Sequence, residues 1–122
     1  MLLGILGFAL AEYDNNPPVP GRRPQFVTGT PKYGIDIEVV YDLMCSDTAD
    51  LHPIFAKFLS SKWNISNTNV SDAIQVTYTF LPLPYHYEVW ISHRLVPFFL
   101  DNCLYGPYPC LFMEYLNWSL EN

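Results

Sequence analysis

Cys45 is the residue whose type and setting point most directly to chemistry. It lies in the stretch YDLMCSDTADLHP, Tyr41 to Pro53, between an apolar run and the start of a predicted helix. A thiolate attacks disulfides, and a helix N-terminus favours it through unpaired backbone N–H groups and the helix dipole. Asp47 acts against this, because a nearby carboxylate disfavours a second negative charge. The alternative interpretation is a buried, inert cysteine at a helix start.

Thr48 follows Cys45 by three residues, in the place where a dithiol C-x-x-C motif has its second cysteine. Its hydroxyl can donate a hydrogen bond to a thiolate, but it cannot resolve a mixed disulfide. The motif Cys45-Ser46-Asp47-Thr48 therefore predicts monothiol exchange at most, in which a protein or low-molecular-weight thiol completes the cycle. We predict Cys45 and Thr48 as the catalytic residues.

Cys103 and Cys110 are separated by the six residues LYGPYP, whose Gly and Pro can turn the chain back. In an oxidising compartment they form the natural disulfide pair, and closing so short a loop contributes about 2 to 3 kcal/mol. Cys45 is then the odd, free thiol. The sequence alone also allows Cys45 to pair with Cys103 or with Cys110.

The histidines His52, His86 and His93 are interpreted as partly exposed or hydrogen-bonded residues, not as catalytic groups. His52 is seven residues from Cys45, roughly 10 Å along a helix, which is too far for direct proton transfer. The spacing of Cys and His matches no zinc signature, and the chain has neither a nucleotide-binding fingerprint nor a G-x-S-x-G motif. We predict no metal and no cofactor.

The N-terminus and three sequons predict a luminal or secreted glycoprotein. Residues 1–11, MLLGILGFALA, resemble a signal peptide, with an apolar segment before a small-x-small cleavage site. No Lys or Arg precedes that segment, so a disordered or membrane-surface N-terminus is the alternative. Asn64, Asn69 and Asn117 each begin an N-x-S sequon and are predicted glycosylation sites.

Composition limits the partners. The chain of 122 residues is long enough for one domain, and at 50% hydrophobic and 15% charged residues it is typical of a packed globular protein. Its net charge of -6, with no basic cluster beyond Arg22 and Arg23, argues against nucleic acid. No apolar run reaches the roughly 18 to 20 residues of a membrane span, so we predict no transmembrane anchor.

Periodicity predicts a strand, a helix and a second strand, preceded by a leader. Residues 12–34 contain five prolines and are predicted to be an extended leader to a domain at 35–122. Residues 35–43, IDIEVVYDL, and 73–80, AIQVTYTF, alternate as strands do. Between them a helix is predicted from Asp47 to about Ser60, with its inner stripe formed by Leu51, Ile54, Phe55, Phe58 and Leu59. A βαβ unit of this kind implies parallel strands.

The C-terminal part is predicted to be helical. Residues 86–103 have helical spacing in Val89, Ile91, Leu95 and Phe98 or Phe99. A last helix over 110–122 is predicted to face inward with Leu111, Phe112, Tyr115, Leu116 and Trp118. An aromatic set in this region is interpreted as core, with a client-binding groove as the alternative: Tyr85, Tyr87, Trp90, Phe98, Phe99, Tyr105 and Tyr108.

Two segments together resemble the thioredoxin superfamily, most closely its DsbA-like branch, in which a helical insertion follows the second strand. They are VVYDLMCSDTADLHPIFAKFL, Val39 to Leu59, and IQVTYTFLPLPYH, Ile74 to His86, and the similarity covers roughly Ile35 to Cys103. The resemblance implies an α/β fold, a thioredoxin-like βαβ unit followed by a helical segment, and thiol–disulfide oxidoreductase chemistry at Cys45.

The chain departs from that family in two ways. C-x-x-T stands in place of C-x-x-C, and the cis-proline, closing β-hairpin and last helix of the family do not follow Cys110. We therefore predict a partial thioredoxin-like domain with weak monothiol exchange. The alternatives are a redox-inactive interaction module and a truncated product of a longer protein. Two strands alone leave unpaired sheet edges, which predicts an oligomer or a partner that completes the sheet.

Overall fold

The computed structural model describes residues 24–65 and 67–122. The predicted signal peptide and residues 12–23 of the predicted leader lie outside the described residues. Within them the chain is mixed α/β, with a three-stranded sheet, four helices and one 3₁₀ turn at Val70–Asp72.

The sheet contains β1 (Gln25–Gly29), β2 (Asp36–Tyr41) and β3 (Gln75–Phe80), with β3 in the centre. β2 pairs with β3 in parallel, as predicted, and β1 pairs with β3 antiparallel. β1 falls inside the range predicted as a leader, so the sheet begins earlier than residue 35. Pro24 and Pro31 flank β1 and do not interrupt it, which leaves every residue of the strand free to pair.

The helices are α1 (Ser46–Ser60), α2 (Val89–His93), α3 (Leu95–Tyr105) and α4 (Phe112–Glu121). α1 and α4 are close to their predicted ranges. The single helix predicted within residues 86–103 is instead two, which meet at Arg94. None of the helices in the described ranges is both long and apolar enough to cross a bilayer.

The inner face of α1 differs from the prediction. Thr48 and His52 are buried, while Leu51, Ile54 and Phe58 are exposed. Phe55 and Leu59, at the border of the two stripes, are half-buried against the core. α1 therefore turns a partly polar stripe toward the core instead of the predicted apolar one. Burying His52 has no large desolvation cost, because both of its ring nitrogens have hydrogen-bond partners.

The later helices also turn a different face inward. Val89, Val96 and Leu100 are buried, whereas Ile91 and Leu95 are exposed. The core interpretation of the aromatic set is wrong for six of its seven members, which are exposed: Tyr85, Tyr87, Trp90, Phe98, Tyr105 and Tyr108. On α4, Phe112, Tyr115 and Leu116 are buried as predicted, but Leu111 and Trp118 are exposed.

The helices pack on one face of the sheet, and the core lies between the two layers. Val76, Tyr78 and Phe80 of β3 supply the sheet side of this core, and Phe112 of α4 fits between Phe26 and Phe80, with ring centroids 4.5 and 5.3 Å away. The other face carries polar residues that bond to one another, including Glu38, Gln25 and Thr79.

Phe112 tests whether this packing holds the two layers together. Its side chain is 0% exposed, so Phe112→Ala should lower the free energy of unfolding by about 3 to 5 kcal/mol, through lost burial and the cavity left behind. Phe98→Ala, at a position 67% exposed on α3, is the matched control and should cost about 1 kcal/mol or less. Urea unfolding followed by circular dichroism measures both; equal losses would contradict the packing described.

Candidate functional site

Cys45 occupies the turn between β2 and α1. It is the N-cap residue of α1, and its N–H donates to the carbonyl of Asp42 at 3.2 Å, which closes a β-turn over residues 42–45. The Cys45 side chain makes no capping hydrogen bond to the first turn of α1. The thiol is free and half-buried. The site therefore presents one unpaired thiol beside the first N–H groups of a 15-residue helix.

The Asp42 carboxylate holds this turn in place. It is only 4% exposed and accepts hydrogen bonds from the Met44 N–H at 2.7 Å, the Leu83 N–H at 2.8 Å and Nδ1 of His86 at 2.9 Å. Burial by itself would raise the pKa of Asp42, but these hydrogen bonds and the charge of His86 outweigh it and lower the pKa. One carboxylate thus joins the end of β2 to the segment that follows β3.

Asp42 is not among the residues that the sequence predicts to be functional. An aspartate directly after an apolar strand favours a turn in which its side chain bonds the backbone two residues on, and the Met44 contact is of that kind. Nothing in the local sequence, however, indicates its bonds to Leu83 and His86, which are more than 40 residues away.

His52 is part of a buried relay and is not placed as a base for Cys45. Its Nε2 lies 2.8 Å from Oδ1 of Asn117, and its Nδ1 lies 3.3 Å from the hydroxyl of Tyr41. Since the amide oxygen accepts, Nε2 carries the proton and Nδ1 accepts from Tyr41. Burial, with a smaller effect of nearby Tyr78, raises the pKa of Tyr41 to about 12, which keeps the hydroxyl protonated. The relay ties β2, α1 and α4 together.

His93 is buried within α2. Its Nδ1 donates to the carbonyl of Val89 at 3.1 Å, and its Nε2 has no hydrogen-bond partner among the described residues. Burial lowers the pKa of His93 by more than the Val89 bond, the nearby Asp42 and the backbone of Tyr41 together raise it. His93 therefore remains neutral in the folded chain at neutral pH.

Thr48 lies one turn beyond Cys45 on α1 and is buried. Within residues 24–65 and 67–122, no hydrogen bond joins its hydroxyl to the Cys45 thiol. The structure thus brings the two predicted catalytic residues to the same end of one helix without connecting them.

Cys103 and Cys110 form a disulfide, as predicted, with Cα atoms 4.3 Å apart. It joins the end of α3 to the segment before α4. The alternative pairings of Cys45 with either residue are therefore not present, and Cys45 is the unpaired cysteine.

The three sequon asparagines have different surroundings. Asn64 is exposed in the loop after α1. Asn69 precedes the 3₁₀ turn, where its side chain and that of Asp72 bond each other's backbone N–H in a capping box. Asn117 lies on α4 and bonds His52 through its oxygen, which leaves its amide nitrogen out of the relay.

An apolar groove lies on the helical layer between α3 and α4. It has a volume of ≈ 440 Å³ and is lined by Leu95, Phe99, Leu111, Glu114, Tyr115 and Trp118. Phe99 is the one member of the predicted aromatic set that lines it. Cys45 does not, so this groove is not the binding surface beside the cysteine that the sequence suggested.

Comparisons with known proteins do not identify the site: no family model, no curated protein and no solved structure matches the chain. In the part of the chain that the structure describes, no group of three or more His, Cys, Asp or Glu side chains is arranged to hold a metal ion.

Asp42→Asn tests the role of the carboxylate. Because the folded state lowers the Asp42 pKa below its ordinary value of 3.8, its stabilising effect is present above about pH 4 and is lost as the pH falls through the folded pKa. The variant should lose about 1 to 3 kcal/mol of unfolding free energy at pH 7, and the difference from the parent should shrink below pH 4.

Urea titrations between pH 2.5 and 7 measure this difference. Glu121→Gln, which changes an exposed glutamate at the end of α4, is the control and should alter stability little at any pH. A difference for Asp42→Asn that stays constant across the whole range would contradict the role assigned to its charge.

Proposed function

We propose that this chain is a luminal or secreted thioredoxin-like domain in which Cys45 carries out weak monothiol disulfide exchange. The observation that carries the proposal is the position of the thiol: Cys45 is free and half-buried at the N-cap of α1, while the other two cysteines are paired.

The order of elements around the thiol supports the thioredoxin-like part of the proposal. Parallel β2 and β3 are joined through α1, the cysteine follows β2 directly, and a segment with Pro82 and Pro84 follows β3. This is the order on which the resemblance to the DsbA-like branch rests. β1, antiparallel on the far side of β3, extends this unit at the edge away from Cys45.

The proposed reaction is a thiol–disulfide exchange. The Cys45 thiolate attacks one sulfur of a protein or low-molecular-weight disulfide; a new S–S bond forms as the old one breaks, and the second sulfur leaves as a thiolate that takes a proton from water. A second external thiolate then attacks the mixed disulfide and releases Cys45. No net oxidation occurs at Cys45, because each step exchanges one S–S bond for another.

Thr48 does not hydrogen-bond the Cys45 thiol in the structure, and we propose that its hydroxyl donates to the sulfur once the thiolate forms. Its hydroxyl is on the first turn of α1, beside the N–H groups that favour a negative charge. Asp47, in the same turn, and the buried Asp42 carboxylate oppose that charge. The balance of these groups is the reason for proposing weak rather than efficient exchange.

Thiol reactivity tests the proposal. At pH 7 the native chain should react at Cys45 with iodoacetamide and with glutathione disulfide faster than free cysteine does, and Cys45→Ser should abolish both reactions. Thr48→Val removes the hydroxyl at nearly constant volume and should slow them about tenfold, the value of a hydrogen bond to a charged group. Mass spectrometry of the alkylated chain gives both rates.

Thr48→Cys is the complementary variant. A second thiol at that position would resolve the mixed disulfide, so the variant should oxidise or reduce a model peptide without an external thiol. If Cys45 reacts no faster than free cysteine, or reacts only after denaturation, exchange is not its function.

The second candidate is a redox-inactive interaction module on the same fold. The exposed aromatic residues of the helical layer favour it, among them Trp90, Phe98 and Trp118, because large apolar side chains left in water are typical of surfaces that bind other proteins. An unreactive Cys45 in the thiol titration would support this candidate over the first.

The secretory location has its own test. Expressed in eukaryotic cells, the chain should appear in the medium with Glu12 as its first residue and with glycans removable by an amidase. Asn64→Gln, Asn69→Gln and Asn117→Gln should each remove one glycan-sized step in mass. A product that stays in the cytosol with residues 1–11 uncleaved would contradict the location and the glycosylation together.

A further inference from the structure

β2 is an edge strand of the sheet, and no strand among the described residues pairs with its outer side. The Gln75 N–H donates to the carbonyl of Ile35, and the Leu81 N–H donates to that of Tyr41, so the odd-numbered residues of β2 face β3. In a parallel ladder the intervening residues then direct their N–H and C=O groups away from the sheet. These outward residues are Asp36, Glu38 and Val40.

The carboxylates of Asp36 and Glu38 do not block another strand from pairing with β2. Gln75 Nε2 donates to Asp36 at 3.1 Å, and Thr79 Oγ1 donates to Glu38 at 2.6 Å, so both side chains are drawn over the polar face toward the centre of the sheet. Charged side chains usually keep an edge strand from pairing with another chain. Here Val40 is 55% exposed and the outward backbone groups are left without that protection.

The helical layer is open on the same side. α4 contacts α1 through the His52–Asn117 bond, and its Phe112 lies over Phe26 of β1 and Phe80 of β3. α1 lies over Tyr41 of β2 and Tyr78 of β3, so its flank away from α4 is on the β2 side. The exposed Leu51, Ile54 and Phe58 occupy that flank. We call the β2 edge and this apolar flank the open side.

We propose that the open side binds a second copy of this chain about a two-fold axis normal to the sheet. That axis places β2 antiparallel to β2 of the second copy, which makes one six-stranded sheet, and places the two α1 helices antiparallel on the same face. We identify the partner as a second copy because one two-fold axis brings the β2 edges together and also brings the apolar flanks of the two α1 helices together.

The positions of residues along β2 and α1 are compatible with one axis for both pairs. With the axis at Val39, Glu38 lies opposite Val40 of the second copy, and this outward pair exchanges two backbone hydrogen bonds. Phe55 packs on Tyr78, the register partner of Val39, so the axis crosses α1 near Ile54. α1 rests over β2 and β3, about one strand spacing from the axis, which sets the two helices roughly 10 Å apart, a normal packing distance.

The charges beside this flank are also self-complementary. Asp50 and Lys57, two helical turns apart, lie on the solvent side of α1 next to the flank, and Ile54 falls between them in sequence. An antiparallel partner reverses the order of the two charges, so each Asp50 approaches Lys57 of the other copy. Two such pairs border the seam formed by Leu51, Ile54 and Phe58, and they favour the antiparallel arrangement over a parallel one.

The experiment is sedimentation velocity on the full chain carrying Cys45→Ser, which prevents an intermolecular disulfide whether or not Cys45 is reactive. The parent should show a reversible, concentration-dependent dimer. Val40→Pro removes an outward N–H and Ile54→Asp places a charge on the axis, so each should raise the dimer dissociation constant at least about tenfold.

Matched controls exist for both variants. Val27→Pro removes an outward N–H from β1 at the opposite edge, where the side chain is 51% exposed, and Ile91→Asp changes an isoleucine that is 72% exposed on α2, against 66% for Ile54. Both controls should dimerise like the parent. Circular dichroism verifies that all four variants are folded.

Hydrogen exchange of single amides gives the decisive readout. The amides of Glu38 and Val40 should become protected as concentration rises, while those of Ile37 and Val39, already bonded to β3, should be protected throughout. A chain that remains monomeric into the millimolar range would overturn the proposal. So would a dimer that the controls disrupt equally, or one in which Glu38 and Val40 stay unprotected.

The outcome is independent of thiol exchange. Cys45 follows the C-terminal end of β2, so antiparallel pairing puts the two thiols at opposite ends of the joint sheet and buries neither. Loss of the dimer would leave the reactivity of Cys45 untouched, and an unreactive Cys45 would leave the dimer intact.

Discussion

The buried carboxylate of Asp42 holds together the end of the protein where Cys45 lies. Through three hydrogen bonds it connects the turn after β2 with Leu83 and His86, and thereby anchors the segment that leads from β3 into the helical layer. A buried carboxylate without hydrogen bonds would destabilise the folded state. Each of these bonds stabilises the ionised form of Asp42. Because the same turn carries Cys45, the position of the thiol and the packing of the later helices are set by one group.

A second constraint is that the helices cover only one face of the sheet. Two layers enclose a core built on Val76, Tyr78 and Phe80, and the face that water reaches is made of Gln, Thr, Asp and Glu side chains that bond each other. A small two-layer domain cannot bury all of its apolar surface, and here the surplus lies on the flank of α1 and on α2 and α3. The turn that carries Cys45 and these exposed apolar surfaces are therefore separate parts of one fold.

The elements were largely predictable, and their orientation was not. Alternation in β2 and β3 and the 3.6-residue period of α1 are local patterns, so the strands and helix could be placed within a few residues. The buried face of α1 could not be predicted from the local pattern. His52 is buried because it hydrogen-bonds Tyr41 and Asn117, which are distant in the sequence. β1 was not predicted, because the prolines around it indicate an extended leader. Its strand conformation depends on pairing with β3, which lies about 50 residues later in the sequence.

Residue types and local patterns were enough to predict the parallel βαβ unit, the cysteine at its turn and the lack of a resolving thiol at residue 48, and they favoured Cys103 and Cys110 as the disulfide pair. Each follows from residue type and short spacing along the chain. Three features depend on the folded chain: the contact of Asp42 with His86, the hydrogen bonds of His52, and the position of the Asp36 and Glu38 side chains over the polar face of β3. These contacts join residues far apart in sequence, and their energies exist only once the chain has brought them together.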